Sequence, residues 1–287
     1  MRRGLALTLT VAMLGSLLAG CGSSGGGSAP KADATAAAAP AGGGTEEVTT
    51  PDKVLKFTDQ NAEDSPAGMW EQKFADLVKE YTKGHIEVEL YFNNTLCGYD
   101  IQPLQAGICD FIQYVPSSAG DLDSRLGAFD APYIYRDADH RLAVFDPFNS
   151  EPLKVINEAL KDDGVMLLSS FNSGYRQITC NFPIRNLSDM KGAKIRVVPS
   201  DLYQQLFTAF GAAATPMAFS EVPTALITNV IDGQENPYSV IVSSALYEVQ
   251  KYCMETNHLP TNHGLWMNRN TYESLTPEQQ EAVLKAA

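Results

Sequence analysis

WEQKFADLVKEYTKGHIEVELYF, residues 70–92, carries two different periods in succession. Trp70, Phe74, Leu77, Val78 and Tyr81 recur at helical spacing, one apolar stripe on a 3.6-residue repeat. Ile86, Val88, Leu90 and Phe92 then alternate with Glu87, Glu89 and Tyr91, the period of two of a half-buried strand. The same alternation extends to both sides. Val54 to Phe57 reads as a strand before the helix, Ile101 to Gly107 as a short helix after Asn93 and Asn94, and Phe111 to Val115 as a strand. Ser150 caps a helix carrying Leu153, Ile156 and Leu160 that ends near Gly164, and Val165 to Phe171 is the next buried strand. A second set follows, with strands at Ile178 to Phe182 and Ile195 to Val198 and a helix at Asp201 to Phe210 showing Leu202, Leu206 and Phe210 on one face. Ser220 caps a helix running to about Asn229 on Val222, Leu226 and Ile227, before a turn at Asp232 and Gly233. Short β-branched strands alternating with ten-residue helical patterns predict an α/β fold, with mostly parallel sheets covered by helices. No repeat of fixed period argues for a solenoid or propeller.

The chain has 287 residues, 21 Lys and Arg against 34 Asp and Glu, a net charge of −13 and 44% hydrophobic residues. Such a length makes one large or two medium domains, and such an apolar content excludes general disorder. An acidic surface repels phosphate backbones, so nucleic acid is excluded as the expected partner. Arg2 and Arg3 precede an apolar run, Leu5 to Leu18, too short to span a bilayer and broken by Gly15 and Ser16; this is an export signal. Leu18, Ala19, Gly20 and Cys21 resemble a bacterial lipobox, which implies that residues 1–21 are a lipoprotein signal peptide and that Cys21 carries the lipid. Residues 22–51, mostly Gly, Ala, Ser and Pro, read as a flexible tether. Charges in the first fifty residues cancel, so the whole −13 belongs to the folded part, expected outside the cytoplasm and held at a membrane without entering it. With Cys21 lipidated, Cys97, Cys109, Cys180 and Cys253 remain without a CxxC pair; three pairings, or none, are open.

Motifs for nucleophilic, metal or phosphate chemistry are missing: there is no GxSxG, no HExxH and no Gly-rich phosphate loop. His258 and His263, five apart with Pro260 between them, read as singly bonded or exposed imidazoles on an extended loop, not as metal ligands. A binding protein without metal or cofactor is therefore expected over an enzyme. The unusual residue is Arg196, inside Lys194-Ile195-Arg196-Val197-Val198-Pro199, where its neighbours predict a buried strand. A guanidinium there must either meet a structural carboxylate or face a crevice that receives an anion. Arg176, just before the strand at Ile178, poses the same choice, and two arginines from adjacent strands would make a carboxylate clamp.

From Arg176 to Asn257, and more loosely over Val54 to Ala287, the chain resembles the solute-binding proteins of TRAP transporters, the DctP-like family. Four blocks carry the resemblance in order: Tyr175 to Thr179, Asp189 to Val197, Thr215 to Val222 and Val230 to Pro237. Softer agreement comes from Leu104 to Gly107 and from Phe129 to Tyr133. The resemblance implies a two-lobed periplasmic binding protein fold, with residues 52–173 and 262–287 in lobe I, 174–261 in lobe II, and a cleft that closes over an organic acid. By block matching, Arg196 is the carboxylate-gripping arginine, Arg176 the second cleft arginine, Phe219 the packing aromatic and Asn236 the cleft amide. Phe219 as plain core and Asn236 as a turn residue before Pro237 are the alternatives. Gln60, Asn61, Tyr114 and Ser117 are candidate first-lobe contacts.

The chain departs from the family pattern around Leu96 to Ile101, which is short, and at Val115 and Pro116, where some sugar-acid binders carry a charged contact. Thr276, Pro277 and Gln279 open a strongly capped helix with no terminator before Ala287, and the family's long bridging element does not follow, so a truncated bridging helix is expected. The implied partners are a small carboxylate ligand and the membrane subunits of a TRAP transporter, energised by an ion gradient. An ABC importer's binding protein and a secreted enzyme acting on acidic sugars are the rival readings.

Overall fold

The computed structural model describes residues 50–287, so the predicted signal peptide, Cys21 and nearly all of the tether lie outside the described residues. Among the described residues nine strands follow in order: β1 (Lys53–Thr58), β2 (Ile86–Tyr91), β3 (Phe111–Tyr114), β4 (Val165–Cys180), β5 (Lys194–Val197), β6 (Ala213–Pro216), β7 (Gly233–Pro237), β8 (Tyr252–Met254) and β9 (Pro260–Asn268). Their order across the sheet is β2-β1-β3-β9-β4-β7-β5-β6, with β8 also paired to β4. β4 pairs with β9 through its first part and with β7 and β8 through its last five residues, so one long strand belongs to both lobes.

Parity along the strands builds a core on each face of the β2-β1-β3-β9-β4 part of the sheet. Phe111, Leu168 and Met267 join Phe57, Phe74, Val78 and Val283 on one face. Their chain neighbours Ile112, Leu167 and Trp266 join Leu104, Leu126 and Ile156 on the other. Each such side chain, fully removed from water, contributes roughly 1.5–3 kcal/mol. In the β4-β7-β5-β6 part Ile178, Ile195 and Val197 pack with Tyr203, Phe207 and Leu259. Two of the three predicted caps form: Ser150 accepts from Leu153 N–H at 3.1 Å, and Thr276 and Gln279 bond reciprocally ahead of the helix Pro277–Ala286.

Four expectations change. The sheets are mixed: β1 with β2 and β3, and β5 with β6 and β7, are parallel, but every pairing made by β4 and β9 is antiparallel. Asn172, Ser173 and Gly174 divide the predicted strands Val165–Phe171 and Ile178–Phe182, yet the chain stays extended there; it absorbs the turn residues as a register shift between Asn172 and Tyr175, with Gly174 at φ +112°. Ser220 makes no cap bond, because it lies in the 3-10 turn Phe219–Glu221 and the helix begins at Val222. On the helix Asp201–Ala209 the deepest residues are Tyr203 and Phe207, one position beyond the predicted Leu202 and Leu206. β9 itself had no sequence signal, since a central strand buried along its whole length, broken by Asn262, His263 and Gly264, shows no period of two.

Candidate functional site: a carboxylate cleft

On β5, Ile195 and Val197 enter the second-lobe core, so strand alternation turns Arg196 to the opposite face, toward the cleft. The guanidinium is 2% exposed. Its Nε and Nη2 donate to the Met217 carbonyl at 3.0 and 2.7 Å, and it lies 5.8 Å from the Phe219 ring centroid. Among the described residues no carboxylate comes within ion-pair distance. Burial, with Arg176 nearby and Glu235 opposing, lowers its pKa to about 10, which leaves it charged at neutral pH. Of the two roles open to this residue, the structural carboxylate pair is absent.

Arg176 is the opposite case. Its Nε and Nη2 fork onto the Glu235 carboxylate, Nη2 also donates to the Glu235 carbonyl at 2.6 Å and to Asn236 Oδ1 at 3.0 Å, and Nη1 reaches Thr261 Oγ1 at 3.4 Å. Burial works against both charges of this pair, and their mutual attraction more than offsets it: Arg176 is raised above the ordinary arginine value and Glu235 held below the ordinary glutamate value. His258 Nε2 adds a bond to Glu235 at 3.2 Å. The expected two-arginine clamp is thus one uncompensated and one internally neutralised guanidinium, because Glu235, adjacent to the predicted Asn236, takes the Arg176 fork.

The space beside Arg196 is an inner pocket of about 30 Å³, bordered by Tyr99, Gln113, Arg176, Asn236, Thr261 and His263. Gln60, Asn61, Phe219, Val240 and His263 also border an outer chamber of about 230 Å³ that continues past Ser65 and Ser173. The inner volume suits one small polar head and the outer one a larger remainder. Asn236 sits within β7 and not in a turn; its Nδ2 donates to Gln234 Oε1 at 2.5 Å. Phe219 is only half-buried and stands at the junction, where its N–H donates to Gln60 Oε1 at 3.3 Å across the two lobes. Asn61 donates to Asp59 Oδ1 at 3.0 Å. Behind it, Asp59 and Glu71 are buried together; burial raises both carboxyls, Glu71 well above its usual value with Asp59 adding to the effect.

Two predicted contacts do not reach the cavity. Tyr114 turns into the first-lobe core, its hydroxyl donating to the Ser118 carbonyl at 3.3 Å, and Ser117 spends its N–H on Asp130 Oδ2 at 2.7 Å and its carbonyl on Ser200 Oγ at 3.1 Å. The reason is parity along β3: Gln113 and Val115 face the cavity, so Tyr114 cannot. Gln113 is 1% exposed with both amide atoms unpartnered. A Gln between Ile112 and Tyr114 was the signal available in the sequence, since a buried amide needs a partner. His263, expected on an extended loop, lies buried in β9, where its Nε2 bonds Ser173 Oγ at 2.9 Å and its Nδ1 has no partner. Burial and the two nearby arginines, 176 and 141, pull its pKa down to about 3, so it is neutral across the physiological range. Gln113→Leu is expected to weaken binding of an acid recognised by the wild type roughly tenfold, the worth of about one hydrogen bond, while Tyr114→Phe leaves it unchanged in calorimetry.

A sequence model of the DctP family, described as bacterial extracellular solute-binding protein, family 7, matches residues 57–287. The 2,3-diketo-L-gulonate-binding periplasmic protein of Escherichia coli K12 is 30% identical over 236 residues, 81% of this chain and 71% of that protein. A C4-dicarboxylate-binding periplasmic protein of Rhodobacter capsulatus is likewise 30% identical, covering 81% and 70%. Among solved structures, a TRAP periplasmic solute-binding protein of Roseobacter denitrificans with bound L-galactonate superposes with a TM-score of 0.76 at 31% identity, covering 83% of this chain and 79% of that one.

Proposed function

Because this chain belongs to the DctP family of bacterial extracellular solute-binding proteins, we propose that it captures an organic acid outside the cytoplasm and delivers it to the membrane subunits of a TRAP-type secondary transporter. The observation that carries the reading is Arg196: a buried cation, bordering a cavity, with no counterion of its own. An entering carboxylate supplies that counterion. The remaining contacts of Gln60, Asn61, Phe219 and Val240, drawn from both lobes, favour the closed arrangement over the open one, and this differential affinity drives closure. The chain binds and releases; it does not turn its ligand over. Cys21 as lipid anchor and residues 22–51 as tether would keep the folded part near its transporter. We place the hinge between lobes where β4 changes partner, near the register shift at Asn172 to Tyr175.

Charge accounting narrows the ligand. The charged side chains bordering the cavity are Arg196, Arg176 with Glu235 on it, and Asp64 at the outer chamber; the rest of the polar lining is neutral amide, hydroxyl and imidazole. That lining suits one carboxylate with a hydroxyl-bearing remainder. A dicarboxylate would bring a second charge that meets no free cation. Calorimetry with L-galactonate and with succinate tests this: the sugar acid is expected to bind at least about tenfold more tightly, the least that an unpaired buried charge costs. Tighter binding of succinate would overturn the monoanion reading, and binding of neither would overturn the sugar-acid reading.

A further inference from the structure

The four cysteines among the described residues divide by position. Cys109 is buried in the first-lobe core and Cys97 packs against the same cluster, with its thiol near enough to raise that of Cys109. Cys180 and Cys253 are near in sequence register but not a pair. Across β4 and β8, Cys180 stands opposite Tyr252 and Thr179 opposite Cys253, so alternation puts the two sulfurs on opposite faces of the sheet. Cys180 is fully buried, and its thiol donates to the Phe182 carbonyl at 2.6 Å, whereas Cys253 is exposed.

We propose that Cys97 and Cys109 are joined by a disulfide in the exported protein. Outside the cytoplasm such bonds persist. The half-exposed Cys97 is the first attacker, since burial, with Cys97 beside it, pushes the Cys109 thiol up to about 12. The Cys97 thiolate attacks an external protein or glutathione disulfide, breaking its S–S bond and releasing one thiolate. Cys109 then loses its proton and displaces the second external sulfur from the mixed disulfide. One S–S bond forms in this chain, the external disulfide is reduced to two thiols, and the two protons given up by the cysteines go to those thiols.

The bond would fasten a wall of the cleft. Asn93 and Asn94 are tied by backbone bonds to Asn61 and Asp59, and Tyr99 accepts from Val115 N–H at 3.0 Å with its ring 4.5 Å from that of Tyr114. Between these anchors, Leu96 and Cys97 are held by packing. Cys109, by contrast, adjoins a rigid point: the Asp110 carboxylate accepts from Lys56 N–H at 2.8 Å and from Thr271 Oγ1 at 2.7 Å, and its carbonyl from Asn268 N–H at 2.9 Å. Linking the two sulfurs ties the loop bearing Tyr99, which borders the inner pocket, to that point.

Trypsin provides the test, because residues 84–125 contain both cysteines and no internal Lys or Arg before Arg125. The full exported chain, purified without reductant, is incubated with oxidised glutathione, denatured, alkylated and digested. The peptide is expected to be lighter by two hydrogens and to take up no alkyl group until reduced, while Cys180 and Cys253 alkylate. Reductant should lower the wild-type melting temperature by roughly 5–10 °C and leave that of a Cys97→Ser/Cys109→Ser variant unmoved. Alkylation of both thiols in the unreduced peptide, or a link from either to another cysteine, overturns the proposal.

Discussion

Arg196→Ala is expected to weaken carboxylate binding by roughly thirtyfold or more without making the empty protein less stable. The two effects have opposite physical origins. In the complex the guanidinium meets a carboxylate in a water-poor pocket, and truncating one partner of such a charge pair costs about 2–5 kcal/mol, at 1.4 kcal/mol for each tenfold in affinity. In the empty protein the same cation is 2% exposed, and among the described residues its hydrogen bonds go only to the Met217 carbonyl, with the Phe219 ring alongside. Neither replaces the hydration it gave up, so its removal relieves a desolvation penalty that offsets the two lost hydrogen bonds. Arg196→Lys should fall between, because an ammonium keeps the charge but cannot hold the Met217 carbonyl and a carboxylate with one planar fork. Calorimetry reads the affinity and differential scanning the stability. Unchanged affinity in Arg196→Ala would remove the residue from recognition, and a large fall in melting temperature would make it a structural arginine instead.

How far the site can be read without coordinates follows from which signals are local. The period shift within residues 70–92 is local, and it places the helix Pro66–Tyr81 and β2 correctly. The apolar neighbours of Arg196 are local too, and they place it on a buried strand facing away from the core. Arg176 is different. Its partner Glu235 lies 59 residues away and meets it only because β4 and β7 pair antiparallel, with Gln177 opposite Asn236 and Ile178 opposite Glu235. No one-dimensional pattern distinguishes an arginine that has found such a partner from one that has not. β9 was hidden for a related reason: a strand covered on both faces by first-lobe cores carries polar cavity residues, Thr261 and His263, where alternation would call for apolar ones. At β3 the signal is local too: an amide between two apolar neighbours, Ile112 and Tyr114. Gln113, wholly buried in an apolar strand, is the residue whose chemistry is incomplete without a ligand.

Glu235→Ala is expected to be the most destabilising single substitution near the cleft, and Glu235→Gln to change which acids bind. Glu235 is 0% exposed and is the only carboxylate on Arg176, itself 2% exposed, among the described residues. Removing one member of a buried pair leaves the other charge uncompensated and costs about 3–5 kcal/mol. For a chain of this size that is roughly 10 °C in melting temperature. The pH dependence follows from the direction of the shift. A carboxyl held below its unfolded value by Arg176 and His258, despite burial, contributes stability that is fully present above the unfolded glutamate value and is lost as pH falls through the lower folded one. Glu235→Gln should therefore flatten the acid limb of the stability profile while retaining an acceptor for one arm of the fork. It also leaves Arg176, which borders the inner pocket beside Arg196, as a second cation without a counterion. Under conditions where the variant is folded, its preference for L-galactonate over succinate is expected to narrow by roughly tenfold or more, since the second carboxylate now finds a partner worth about 1.5–3 kcal/mol. Calorimetry with both acids on wild type and variant decides it. An unchanged ratio would mean that Arg176 addresses only its own chain, and that the selectivity for one carboxylate comes from the shape of the pocket and not from its charge.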